Sequence, residues 1–170
     1  GQDPAGVLRL KEPGMYIVSY YSNNNTITHT PEKFQAYVKE EGLANDIHLD
    51  KISFPPDAPV VEAYQRCAKS LLHVPGASPA GFDHVLGLPL ELIPQDDPSQ
   101  LSPPQQMTFQ ILYDHKPLSG ATVVLVNQKN PQELFKSTSD EKGLATFALA
   151  QKGIWMATTI HMSPTPPNSQ

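Results

Sequence analysis

The chain has 170 residues, 18 of them proline, with a net charge of −5 and a pI near 5.6. With Arg9 and Arg66 its only arginines, it lacks a basic stripe for phosphates, so neither nucleic acid nor an anionic membrane surface is an expected partner. The single cysteine, Cys67, excludes an internal disulfide and a Cys-only metal cluster, and no apolar run nears the ~18 residues of a membrane-spanning helix, so no membrane insertion is expected.

Proline removes a backbone donor and breaks helices. Its abundance favours short strands with rigid joints over a helical bundle. The segment Gly1-Gln2-Asp3-Pro4 reads as a trimmed start, with an export signal expected upstream. Val7 to Leu10 alternates weakly, as an edge strand would. Met15 to Tyr21 is rich in β-branched and aromatic residues and predicts a strand. Asn23-Asn24-Asn25 closes it with turn-forming side chains.

Thr30-Pro31 opens a helix over 31–41: Thr30 caps, and Pro31 suits the first helical position. Phe34, Tyr37 and Val38 share one face, and Gly42 supplies the stop. A second helix is expected from about Ala58, because Val60, Val61, Tyr64, Cys67, Ala68, Leu71 and Leu72 keep helical spacing. Its end, Lys69 to Val74, also suits extended chain. In that helix Glu62 and Arg66 would pair at i, i+4, and Cys67 would be a buried, inert thiol. Leu86 to Ile93 reads as a strand whose polar face carries Glu91. Pro94 to Pro104, with four prolines, reads as a linker.

Residues 107–161 read as a complete small β-fold. Met107–Tyr113, Ala121–Asn127, Leu144–Leu149 and Gly153–His161 are strand-like runs separated by Gly, Pro and Asp turns. Phe109, Ile111, Val124, Val126, Leu144, Phe147 and Trp155 are the expected core. The division is therefore 1–94 (β-rich, one or two short helices), a linker 95–104, a β-sandwich 105–162 and a disordered tail 163–170. The fold class is mainly β: an antiparallel Greek-key sandwich preceded by a β-rich subdomain.

No catalytic constellation is complete. Gly76-Ala-Ser-Pro-Ala-Gly81 is one residue too long for a nucleophile elbow, and no phosphate loop, dinucleotide fingerprint or zinc-protease helix occurs. Of the six histidines, His115 follows the first strand of the C-terminal block and His161 ends its last. If those strands are parallel neighbours, both histidines lie at one end of the sandwich, where they can share a divalent transition metal with Asp114.

Three blocks carry a resemblance. They are Glu62-x-Tyr64-x-Arg66-x-Ala68-Lys69-x-Leu71; Gly87-x-Pro89-Leu90-Glu91-Leu92-Ile93-Pro94 with Asp97-Pro98; and Lys116-Pro117-Leu118-x-Gly120-Ala121 with Thr138-x-Asp140-x-x-Gly143-x-Ala145-x-Phe147 and Gly153-x-Trp155. Together they resemble a bacterial exported domain family of unknown function once labelled a nickel-uptake substrate-specific region (NikM-like). The last block is also similar to transthyretin-like and carboxypeptidase-regulatory-like sandwiches. The resemblance implies a periplasmic or secreted, non-enzymatic binding or accessory domain linked to nickel uptake. Its partner would be a membrane transporter component or another exported protein. The alternatives are a structural or adhesive module that contacts protein or glycan, and an unrecognised hydrolase.

Overall fold

The computed structural model describes residues 6–44, 46–55 and 58–164. The chain is mainly β, and among the described residues all strand pairings are antiparallel and there is one α-helix. The expected fold class is borne out at that level. Among the described residues no helix is long and apolar enough to cross a membrane. Most of the proline-rich tail, 165–170, and the start, 1–5, lie outside the described residues.

The N-terminal half is built on one long two-stranded ribbon. Strand β1 (Gly14–Tyr21) continues into β2 (Asn25–His29), and β3 (Val60–Tyr64) continues into β4 (Cys67–Val74). β1 pairs with β4 from Gly14↔Val74 to Tyr21↔Cys67, and β2 with β3 from Asn25↔Tyr64 to His29↔Val60. Between the two stretches Ser22, Asn23 and Asn24 face only Gln65 and Arg66, so the ribbon carries a bulge, which bends a strand pair. The bulge is tied down. Ser22 N–H donates to the Arg66 carbonyl at 3.0 Å, and Arg66 N–H to Ser22 Oγ at 2.9 Å.

The helix expected from about Ala58 is therefore two strands, and no strand forms at Val7–Leu10. Its residues fit helical spacing, but the ribbon sorts them by alternation, with an unusual assignment of faces. Glu62, Tyr64, Cys67, Lys69, Leu71 and His73 are half-buried, while Val61, Ala63, Ala68, Ser70 and Leu72 are exposed. The inner face accepts polar groups because each finds a partner. Glu62 meets His29 at 3.0 Å, Lys69 meets Glu91 at 2.8 Å, and His73 reaches the Ala77 carbonyl at 3.5 Å. The expected Glu62–Arg66 pair is absent. Arg66 lies over the Tyr64 ring at 5.4 Å instead, a cation–π contact.

Helix α1 (Pro31–Glu40) forms as its caps predict: Thr30 accepts from Lys33 N–H at 3.4 Å, and Pro31 starts the first turn. Phe34 and Val38 are buried with Leu43 and Ile47 in a small core, joined by Val60, Phe54, Ile160 and Met162. A single 3-10 turn, Leu49–Lys51, follows.

Two further sheets form the C-terminal sandwich. The first has the order β10-β6-β5, with β7 also on β6: β5 is Leu90–Pro94, β6 Gln105–Tyr113, β7 Lys116–Pro117 and β10 Leu144–Leu149. The second has the order β11-β8-β9: β8 is Thr122–Asn127, β9 Asn130–Thr138 and β11 Trp155–Thr159. Their facing sides share one core of Met107, Ile111, Ala121, Val123, Leu125, Ala145, Phe147 and Leu149, with Phe109, Phe135 and Trp155 packed on it.

Three details differ from expectation. Val124 and Val126 face outward, and Val123, Leu125 and Asn127 face in. Leu144 is half-buried beside the fully buried Ala145. β9 occupies what reads as a polar interval. It is a sheet edge, where Pro131 and exposed polar residues are tolerated. Strand β5 pairs with β6 across residues 95–104, a stretch fixed by Gln95 N–H to the Thr108 carbonyl and by Thr108 N–H to Asp96 Oδ2, both 2.8 Å. Gly143 holds the turn before β10 at φ +74, and a Cβ there would lie 2.7 Å from the Ile111 carbonyl oxygen, so only glycine fits.

Candidate functional site

Asp114 and His115 are the two residues of the tight turn between β6 and β7. Both have positive φ, +47 and +63, as a two-residue hairpin turn of the primed kind requires. Asp114 N–H donates to the Pro89 carbonyl at 2.9 Å. The His115 ring approaches Gly87, where an added Cβ would meet Cε1 at 3.2 Å.

His161 arrives from the other sheet. The first and last strands of the block are not neighbours: β6 pairs with β5, β7 and β10, whereas β11 pairs antiparallel with β8. A sandwich puts these two strands in opposite layers, so the parallel adjacency expected from sequence does not occur. His161 packs on Tyr113, the residue before Asp114, with ring centroids 4.2 Å apart. Its Nδ1 lies 3.5 Å from Asp46 Oδ2. Among the described residues no three His, Cys, Asp or Glu side chains gather as a metal cluster.

The most completely bonded polar group among the described residues is Glu91, which the sequence places on the polar face of a strand. It is 2% exposed. Lys69 Nζ and Leu86 N–H donate to Oε1 at 2.8 and 2.7 Å, and Gly87 and Leu88 N–H donate to Oε2 at 2.8 and 3.1 Å. Burial pushes the carboxyl pKa up, but the Lys69 contact and the amide hydrogen bonds outweigh it, and the net shift is downward. Lys69 is itself only 10% exposed. The pair locks the ribbon to the loop ahead of β5. Sequence alone could have flagged it only through the recurrence of Lys69 and Glu91 in the two resemblance blocks.

A second cluster joins the ribbon to α1. His29 Nε2 and Glu62 Oε2 are 3.0 Å apart, and the His29 ring lies near-parallel to Tyr37 with centroids 6.0 Å apart. Burial, then the charges of Glu62 and Glu41, raise the Tyr37 pKa. Cys67 is half-buried on the inner face of β4, not on a helix.

The outer face of the ribbon is exposed and uncharged. Val18, Tyr20 and Leu72 are 41%, 60% and 42% exposed on the β1–β4 half, and Val61 is 63% exposed on the β2–β3 half. Thr26, Thr28, Ala63, Ala68 and Ser70 complete it, with Tyr16 half-buried on the same side. Sequence reasoning misses this surface because its β3–β4 half keeps helical spacing.

No curated protein and no solved structure matches the chain. Residues 4–163 match the family described as a domain of unknown function, DUF4198. That match spans nearly the whole chain, from before β1 to beyond β11, and the chain belongs to this family.

Proposed function

We propose that the chain is a non-enzymatic binding or accessory domain, working in the periplasm or outside the cell, that contacts another exported protein. The observation that supports it is the outer face of the ribbon. Antiparallel sheets ordinarily turn a polar face to water, and contact surfaces are depleted of charge and enriched in aromatics at their centre. Here the exposed face carries Val18, Tyr20, Val61 and Leu72 and no charge ahead of the Arg66 bulge. A membrane transporter component is one partner that fits. The sandwich is read as transthyretin-like, as the resemblance of residues 138–147 implies.

A photo-crosslinking side chain placed at Val18 or Val61 in the source cells should give one discrete adduct. The same group at Gln132, on the exposed edge β9, should give none. The charge-inserting Tyr20→Lys should abolish the Val18 adduct. Adducts that ignore position or survive Tyr20→Lys would defeat the reading.

A second reading, transition-metal handling with nickel the first candidate, is supported by one arrangement. Asp46 faces Nδ1 of His161, and a carboxylate on one ring nitrogen orients an imidazole whose other nitrogen can ligate a metal. Asp114 and His115 lie in the turn next to Tyr113, on which His161 packs; the three side chains are not gathered as a cluster, so a shared ion would have to draw them together. Calorimetric titration with nickel, cobalt, zinc and copper should show an affinity that disappears in the His115→Ala/His161→Ala double variant. No heat in the parent chain, or unchanged heat in the double variant, ends this reading.

A further inference from the structure

The end of α1 rests on the outer face of the second sheet and leaves a cleft. The contact is close at Gly42, where the chain turns at φ +77 and an added Cβ would lie 3.1 Å from Thr122 Oγ1. Beside it opens a cleft of about 180 Å³ lined by Glu41, Thr122, Val124, Lys136, Thr158, Thr159 and Ile160. Lys136, Val124 and Thr158 form its floor as one row across β9, β8 and β11. A water molecule's share of liquid is about 30 Å³, so the space suits a solute of a few heavy atoms.

The charges of the cleft are arranged for a ligand with two opposite charges. Glu41 caps α1 at its C-terminal end, where the helix dipole disfavours an acid and favours a cation. Lys136 lines the same cleft from its floor. The ion pairs among the described residues are His29–Glu62, Lys69–Glu91 and His161–Asp46, so Glu41 and Lys136 are paired neither with each other nor elsewhere. The hydroxyls add acceptors. Thr159 Oγ1 donates its proton to the Thr122 carbonyl at 2.9 Å, and Thr158 Oγ1 to the Val124 carbonyl at 3.5 Å. Their lone pairs remain free to accept N–H groups. A simple cation would be repelled by Lys136, and a simple anion by Glu41.

We propose that this cleft binds a small zwitterion bearing a primary ammonium group, an α-amino acid with a short side chain. The ammonium lies at Glu41 and the threonine oxygens, and the carboxylate at Lys136. The assignment does not rest on either reading above, since it uses neither the ribbon face nor the Asp114–His161 end.

The test is a titration of the full ¹⁵N-labelled chain with L-alanine, followed by amide chemical shifts, with acetate and ethylammonium as single-charge controls. Alanine should shift Glu41, Gly42, Thr122, Val124 and Thr158 saturably, and each control should bind at least about tenfold more weakly. Glu41→Gln and Lys136→Met should each weaken alanine by a similar factor without lowering the thermal midpoint. The proposal is overturned by the absence of a saturable shift, by shifts confined to other residues, by equal binding of either control, or by unchanged affinity in either variant.

Discussion

Replacing Glu91 with Ala is expected to destabilise the fold by about 3–5 kcal/mol, the cost of breaking a buried ion pair from one side. The change strands the Lys69 ammonium in a site only 10% exposed and leaves the amides of Leu86, Gly87 and Leu88 without their acceptor. Urea unfolding at neutral pH measures it, and a loss under about 1 kcal/mol would mean that water replaces the carboxylate at little cost. The pH dependence has a definite sign. The folded pKa of Glu91 lies below the ordinary glutamate value of 4.5, so the folded state binds fewer protons than the unfolded state in that range. Its contribution is full above the unfolded pKa and is lost as the pH falls through the folded one. The parent chain should therefore lose stability on acidification below about pH 4.5 more steeply than Glu91→Gln does.

Trp155→Ala should cost about 3 kcal/mol, the lower end of the range for truncating a large core aromatic. Trp155 is half-buried, packs on the sandwich core and meets Phe135 edge-on with centroids 5.8 Å apart. It sits opposite Asn127 in register, and the tight fit continues at Gly153, where an added Cβ would lie 2.8 Å from Asn127 Nδ2. Trp155→Phe keeps the edge contact and should cost less than about 1.5 kcal/mol. Far-ultraviolet circular dichroism must follow the unfolding, because the substitution removes the sole tryptophan. Equal stability of the Ala variant and the parent would place the ring outside the load of the core.

Local chemistry was legible where one signal dominated. The Thr30 cap, Pro31 and the Phe34/Val38 spacing identified α1, alternation identified β1, β6 and β8 as strands, and flanking turn residues identified β10. The phase of β8 was not legible: Val123-Val124-Leu125-Val126 offers no polar residue to mark the solvent side, and Asn127, which reads as polar and outward, is 1% exposed. The ribbon misled for the opposite reason. Its inner face mixes Glu62 and Lys69, whose partners lie far along the chain, with Tyr64, Cys67 and Leu71, while Val61 and Leu72 face out. Burial of a charge depends on a partner, and the Glu91 partner of Lys69 stands 22 residues away, beyond any local window. The same holds for the Glu41–Lys136 cleft, whose charges come from the end of a helix and the edge of a sheet. His115 and His161 were singled out from sequence through a strand adjacency that the sandwich does not have.

The core around α1 has a consequence for the order of synthesis. Phe34, Val38, Leu43 and Ile47 are made early, yet Ile160 and Met162 pack against them. Domains made on the ribosome start to fold from the N-terminus at about 5–20 residues per second. For roughly the time needed to make the hundred-odd residues in between, several seconds at that rate, the first core stands open on one side. The chain closes it with nearly its last described residues, so the N-terminal half becomes complete only after the sandwich has been made.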